Sequence, residues 1–284
     1  MRLVIISGLS GSGKSVALNV LEDTGFYCID NIPVGLLRSF IKEIRRRQDS
    51  GYEQVGVGLD ARNLPDIDEL PKLINELRAD GARCELVFLQ ASDDILLSRF
   101  SETRRKHPLT SDNTSLPEAV SKERRLLGPI IDMADLVIDT SSTTVYDLRD
   151  LVRERVASRD DTALSILIES FGYKHGIPAD ADFVFDVRCL PNPYWEPKLR
   201  PLNGKDQSVR DFLSGQPQVV EMIGDIETFL RRWIPRYESF QRSYLTIAIG
   251  CTGGQHRSVF VTESLADRLQ DAHGPIQTRH FELP

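Results

Sequence analysis

No two cysteines in this chain form a Cys-x-x-Cys pair or any other metal-ligand spacing; the four present, Cys28, Cys84, Cys189 and Cys251, are scattered over 284 residues. A chain of that length builds its core without covalent staples, so they are expected to be reduced thiols, and no zinc site is expected. Also missing is any apolar run near the roughly 20 residues that a membrane-spanning helix needs, and the opening MRLVIISG breaks at Gly8, too early for a secretory signal. The expected location is the cytoplasm, with no membrane contact. Positive charge is in deficit: 35 Lys and Arg face 42 Asp and Glu, a formal net charge of -7. That excludes a surface coated for bulk nucleic-acid binding and leaves only local contacts to RNA. There is no internal repeat and no low-complexity tract.

What is there reads as two folded α/β domains. Short apolar runs (LVIISG at 3–8, FYCID at 26–30, QVGVGLD at 54–60, CELVFLQA at 84–91, ADLVIDT at 134–140) alternate with polar helical stretches. Continuous apolar strands separated by helices indicate a parallel sheet covered on both faces. The charged segment 153–165 lacks a sustained apolar pattern near its middle, so the expected domains are 1–156 and 157–284. In the second, LSILIESFG (164–172), FVFDVR (183–188) and YLTIAIG (244–250) read as strands, and 219–240 and 258–270 as helices. The proline-dense stretch 189–204 is too long for a plain connector, and such loops often carry binding residues.

Two stretches point to phosphate. GLSGSGKS (Gly8, Leu9, Ser10, Gly11, Ser12, Gly13, Lys14, Ser15) fits G-x-x-x-x-G-K-[ST] between a strand and a helix, the context the motif requires. Its backbone N–H groups and helix N-terminus would cradle phosphates, Lys14 would reach the β and γ phosphates, and Ser15 would ligate Mg²⁺. The carboxylate holding the metal's water shell is expected at Asp60, with Asp139 second. Arg104, Arg105 and Lys106 in SETRRKHPL read either as a basic lid or as a solvated charge run. Asp30 and Asn31 read as an acceptor site or a turn.

The second stretch, GCTGGQHRS, sets Cys251 and Arg257 at the Cys-x5-Arg spacing of cysteine phosphatases, with paired glycines ahead of a helix starting near Ser258. Convergent N–H groups and a guanidinium make an anion cradle of Cys251, Thr252, Gly253, Gly254, His256, Arg257 and Ser258. Catalysis would further require an acid to protonate the leaving group, and nothing in the sequence places Asp182 or Asp186 over the loop. Holding a phosphate is therefore preferred to cleaving its ester. Lys174, His175, Arg188 and Asn192, near strand ends, are expected to reach the same site.

These residues, with LEDTGFYCIDNIP, DARN, ESFGYKHGIPADADFVFDVRCLPNP, YWEPKLRPL and RSYLTIAIGCTGGQHRS, resemble the bacterial RapZ family of nucleotide-binding RNase adapter proteins over nearly the whole chain. The resemblance implies a P-loop kinase-like first domain, a second domain that senses a phosphorylated metabolite and binds RNA, and homo-oligomeric assembly. In the enteric branch, such proteins present a small regulatory RNA to RNase E and respond to an amino-sugar phosphate, glucosamine-6-phosphate. By position, Gly8 to Ser15 would bind ATP, Asp60, Ala61, Arg62 and Asn63 would belong to a guanine-nucleotide segment, and the tail from about Asp267 (Arg268, Arg279, His280) would touch RNA. That tail carries only two arginines, so Lys198, Arg200, Arg231, Arg232 and Arg236 are further candidates. The expected activity is a nucleotide-binding regulator with at most slow ATP or GTP hydrolysis. The alternatives are a P-loop small-molecule kinase and a Cys-x5-Arg phosphatase.

Overall fold

The computed structural model describes residues 1–46, 53–60, 69–103, 105–111, 113–157, 164–240 and 242–283. The chain divides into two compact units, Met1–Asp160 and Asp161–Pro284. In the first, β1 (Arg2–Gly8), α1 (Lys14–Asp23), β2 (Tyr27–Ile29), α2 (Val34–Arg46), β3 (Gln54–Gly58), α3 (Leu70–Ala79) and β4 (Arg83–Gln90) alternate. Then come α4 (Asp93–Thr103), α5 (Leu116–Ile131), β5 (Leu136–Asp139) and α6 (Val145–Val152), prolonged by one π-helical turn at Arg153–Ala157.

The five strands form a parallel sheet in the order β2-β3-β1-β4-β5. Every residue of β1 is buried, which is why Leu3 to Ile6 form a continuous apolar run and not an alternation. Leu3, Ile5, Val55, Val57, Leu86 and Phe88 pack with Leu37 and Ile41 of α2 and Leu70 and Ile74 of α3. Because β3 and β4 flank β1 on opposite sides while α3 joins them, the strand order reverses at β1. The loop after β1 opens where such sheets bind ligands.

The second unit contains β6 (Ser165–Gly172), β7 (Phe183–Asp186), α7 (Gln207–Ser214), α8 (Pro217–Ser239), β8 (Tyr244–Cys251), α9 (Arg257–His273) and β9 (Gln277–His280). Its sheet, β7-β8-β6-β9, is also parallel, and its register sets Gly172 beside Cys251 and Asp186 beside Gly250. The fold class is α/β with two parallel sheets. Two elements escaped the sequence: α7, hidden behind the proline-rich loop, and β9, whose sequence QTRH has no apolar alternation. β9 is a strand because β6 offers it a ladder, Leu167 to Ser170 pairing with Gln277 to His280.

Candidate functional site

The loop between β1 and α1 is held from beneath. At Gly8, where φ is 143°, an added Cβ would lie 2.1 Å from the Leu89 carbonyl oxygen, so the close approach of β1 to β4 admits only glycine. Leu9 N–H donates to Leu89 O (3.0 Å) and Ser12 N–H to Leu9 O (3.1 Å), while Thr140 Oγ1 donates to the Ser12 carbonyl (3.0 Å). Arg99 of α4 bridges the Gly11 carbonyl and Thr140, joining the loop to the end of β5. Lys14 Nζ donates to Gly8 O (2.8 Å) and Leu9 O (3.1 Å), which lays the ammonium across the loop. The first-turn N–H groups of α1 have no intrahelical acceptor, so Gly13, Lys14 and Ser15 present the anion-binding end of the helix.

Ser10 does not serve the role expected of it. Its N–H and hydroxyl donate to Glu123 of α5 at 2.9 and 2.7 Å, so both donors are turned toward a carboxylate and not a phosphate. Glu123 is 0% exposed, and His107 Nε2 lies 3.1 Å from its Oε2, the oxygen that also accepts from Ser10 N–H. Burial alone would raise the Glu123 pKa, but the hydrogen bonds from His107 and Ser10, with the charge of Lys14 nearby, hold it below the usual carboxylate value. No sequence spacing ties residues 10, 107 and 123 together, so this support was not legible.

A depressed carboxylate stabilises the fold above its unfolded pKa, and that contribution is lost as pH falls through and below about 4.5. Glu123→Gln, which keeps one acceptor, is expected to cost on the order of 2 kcal/mol at pH 7. Its penalty should shrink toward pH 3, which thermal unfolding across that range would measure.

Asp60 ends its sheet edge beside the loop, since β3 pairs with β1 and Leu59 N–H donates to Ile6 O; its side chain is 8% exposed. Asp139 instead caps its own turn, accepting from Ser141 N–H at 2.8 Å. Among the described residues no cluster of three His, Cys, Asp or Glu could cage a metal. Ser15 and Asp60 are the residues that could hold a magnesium ion together with nucleotide phosphates, the usual sparse set for that ion. Ala61, Arg62, Asn63 and Arg104 lie outside the described residues, and Arg105 and Lys106 are exposed.

The second loop is built at the carboxyl ends of β6, β7 and β8. Gly254 has φ 73°, and a Cβ there would meet Glu282 Cγ at 2.1 Å. Its N–H donates to Cys251 Sγ (3.2 Å), which also lies 3.2 Å from Ser258 Oγ. Cys251 and Ser258 are both buried, so Ser258 backs the sulfur and its hydroxyl is not presented to a ligand, contrary to expectation.

Arg257, 5% exposed, divides its donors. One terminal nitrogen donates to Arg188 O (2.7 Å) and Leu190 O (3.0 Å), pinning the proline-rich loop; the other donates to Thr252 Oγ1 (3.3 Å). Its Nε is buried without a hydrogen-bond partner, as is His256 Nε2. Two buried nitrogens left unsatisfied beside a helix N-terminus cost stability that an anion would recover.

Around this loop, Arg188 stacks 3.9 Å over the Tyr173 ring and pairs with Asp186 at 2.6 Å. The hydrogen bond from Arg188 keeps Asp186 below the usual carboxylate range, the wrong direction for a proton donor. Asp182 is paired with Arg242. Lys174 N–H donates to Thr252 O (3.3 Å), and its side chain is exposed; His175 Nε2 lies 3.3 Å from Glu282 Oε2. Asn192 caps the turn that follows it, its Oδ1 accepting from Tyr194 N–H at 3.3 Å. Glu282, whose other oxygen accepts from Gly172 N–H, was not anticipated at all.

Two of the three expected RNA residues of the tail, His280 and Arg268, already have partners. His280 donates or accepts through both ring nitrogens, at 2.7 Å to Glu263 and 2.8 Å to Ser170, so it is a structural residue of β9. Arg268 pairs with Glu227 (3.1 Å), and Arg279 stacks on Phe281 (4.4 Å). Cys28 and Cys84 are pushed up to about 11 and 12 respectively, mainly by burial, which makes both poor nucleophiles. No helix among the described residues is long and apolar enough to cross a membrane.

Against known proteins, residues 1–160 match the RapZ-like N-terminal domain and residues 164–284 the RapZ C-terminal domain. The chain is 54% identical to a protein named "Nucleotide-binding protein" from Alkalilimnicola ehrlichii, covering 100% of this chain and 98% of that one. It is 52% identical to a protein of the same name from Pseudomonas fluorescens, covering 100% of each. Among solved structures, a shikimate kinase from Bacteroides thetaiotaomicron is similar over 54% of this chain and 95% of that one, at 13% identity and a TM-score of 0.38, too slight a likeness to bear on activity.

Proposed function

This chain belongs to the RapZ family, and on that premise we propose that it is a regulator that binds ATP or GTP with Mg²⁺ at residues 8–15 and a sugar phosphate at residues 251–258. Glucosamine-6-phosphate is the expected metabolite, and RNA, presented to an RNase such as RNase E, the expected partner of a homo-oligomer. The relatives' printed name and the loop geometry around Lys14 favour the nucleotide site. The observation that carries the second site is the pair of buried, unpartnered nitrogens, Arg257 Nε and His256 Nε2, beside the start of α9. A phosphate accepts from Arg257 Nε–H and, in the His256 tautomer that protonates Nε2, from His256 as well.

Titration calorimetry of the full chain with Mg-ATP, Mg-GTP, glucosamine-6-phosphate and glucose-6-phosphate tests this reading. One nucleotide and one hexose phosphate should bind per chain, without competing. Competition between the two, or no heat from any hexose phosphate, overturns it. The kinase alternative predicts ADP release that an acceptor stimulates above the basal rate; a regulator has none.

A further inference from the structure

The carboxyl-terminal half of α8 carries an aromatic stripe that belongs to neither phosphate site. Phe229, Trp233, Tyr237 and Phe240 recur at helical spacing and face Phe183 on β7, the edge strand of its sheet. Together they line a groove of about 510 Å³, within the range of ligand sites. The rings are ordered against one another. Phe183 meets Phe229 edge-on at 5.2 Å and 89°, and Tyr237 at 5.5 Å and 67°. Phe240, at the end of the stripe, is 84% exposed. A ring left this bare on a rim of further rings marks a contact surface and not a core.

The rim is cationic. Arg236 stacks 4.4 Å over the Trp233 ring, and Arg242 lies 5.5 Å over Tyr237 while paired with Asp182. Arg232 does not line the groove itself but stands one helical turn before Arg236 on the same helix, on the order of 6 Å along the axis. Neither Arg232 nor Arg236 has a carboxylate partner among the described residues, in a chain whose net charge is -7. Aromatic faces interleaved with uncompensated guanidiniums are complementary to a ligand that is planar, apolar on its faces and anionic between them. A single-stranded nucleic acid has that alternation, and its bases stack on such rings without regard to sequence. Bases inside a duplex are already stacked, so their faces cannot reach the groove.

We propose that the groove formed by α8 and β7 is a stacking platform for single-stranded RNA, with Trp233 and Phe240 taking bases and Arg232 and Arg236 the intervening phosphates. The partner class rests on the RNA part of the function proposed above; the location rests on the groove's own chemistry. It also gives RNA a place away from His280, which β9 consumes.

The chain has two tryptophans, Trp195 and Trp233, so a Trp195→Phe background makes Trp233 the sole reporter. Full-length protein in that background is titrated with a twelve-nucleotide oligouridine, the matching oligoadenine and a duplex of the two, following tryptophan quenching and the anisotropy of labelled strands. Saturable quenching by single strands is expected, with the duplex at least tenfold weaker. Phe240→Ala and Arg236→Glu, both at exposed positions, should each weaken strand binding at least fivefold. They should leave the melting temperature and the binding of glucosamine-6-phosphate unchanged. Strand binding that both variants retain, without quenching, overturns the groove as the site while RNA binding itself survives. No binding of any RNA overturns the RNA reading, and the groove proposal with it. A wild-type dimer that Phe240→Ala dissociates, with no strand quenching, assigns the groove to a second copy of the chain and also overturns the proposal.

Discussion

Arg257→Ala is expected to abolish measurable sugar-phosphate binding, whereas Cys251→Ser leaves most of it. The guanidinium contributes a buried charge and an unpartnered Nε at the start of α9, and a charge-assisted pair of hydrogen bonds to phosphate is worth on the order of 2 to 4 kcal/mol. That is a loss of roughly 30- to 1000-fold in affinity. Because the same guanidinium also holds the Arg188 and Leu190 carbonyls, Arg257→Ala also loosens the proline-rich loop. Arg257→Lys, which keeps the charge without the fork, separates the two effects. It should recover thermal stability more than it recovers affinity.

Cys251 Sγ accepts from Gly254 N–H and touches Ser258 Oγ, contacts that a serine hydroxyl can largely reproduce, so that substitution should cost under about 1 kcal/mol. With Asp186 tied to Arg188 and Asp182 to Arg242, neither of the two acids considered for the leaving group is free to protonate it, and no steady phosphate release from an alkyl phosphate, whose alkoxide needs that proton to leave, is expected. Steady release by wild type that Cys251→Ser eliminates would make the chain a phosphatase joined to a P-loop domain.

Lys14→Ala is expected to remove ATP and GTP binding by two orders of magnitude or more. Lys14 Nζ lies across the Gly8 and Leu9 carbonyls, within the loop proposed to receive the phosphates, and no other side-chain cation is aimed there by the motif. Loss of a partly desolvated cation from two phosphate oxygens is worth about 3 kcal/mol. Calorimetry with Mg-nucleotide reads the affinity, and thermal unfolding shows whether the loop survives without its brace. Unchanged affinity in a folded variant would sink the P-loop assignment.

The sequence by itself determined the α/β class, the family and the two glycine-bearing loops that open at strand ends. Those features are local: a buried parallel strand must be continuously apolar, and a loop that turns N–H groups toward an anion needs its glycines and cation within a few residues of each other. The tertiary structure decided everything that joins distant segments. Ser10, His107 and Glu123 form one buried cluster only because α5 packs behind the first loop. Glu282 reaches Gly172 and His175, and His280 is withdrawn from solvent, only because β9 finds its ladder on β6. The aromatic stripe of α8 was visible as helix, but its role depended on which face β7 leaves uncovered. Burial and hydrogen bonding are fixed by what packs alongside, and residues a hundred positions apart carry no mark in the chain that they will meet.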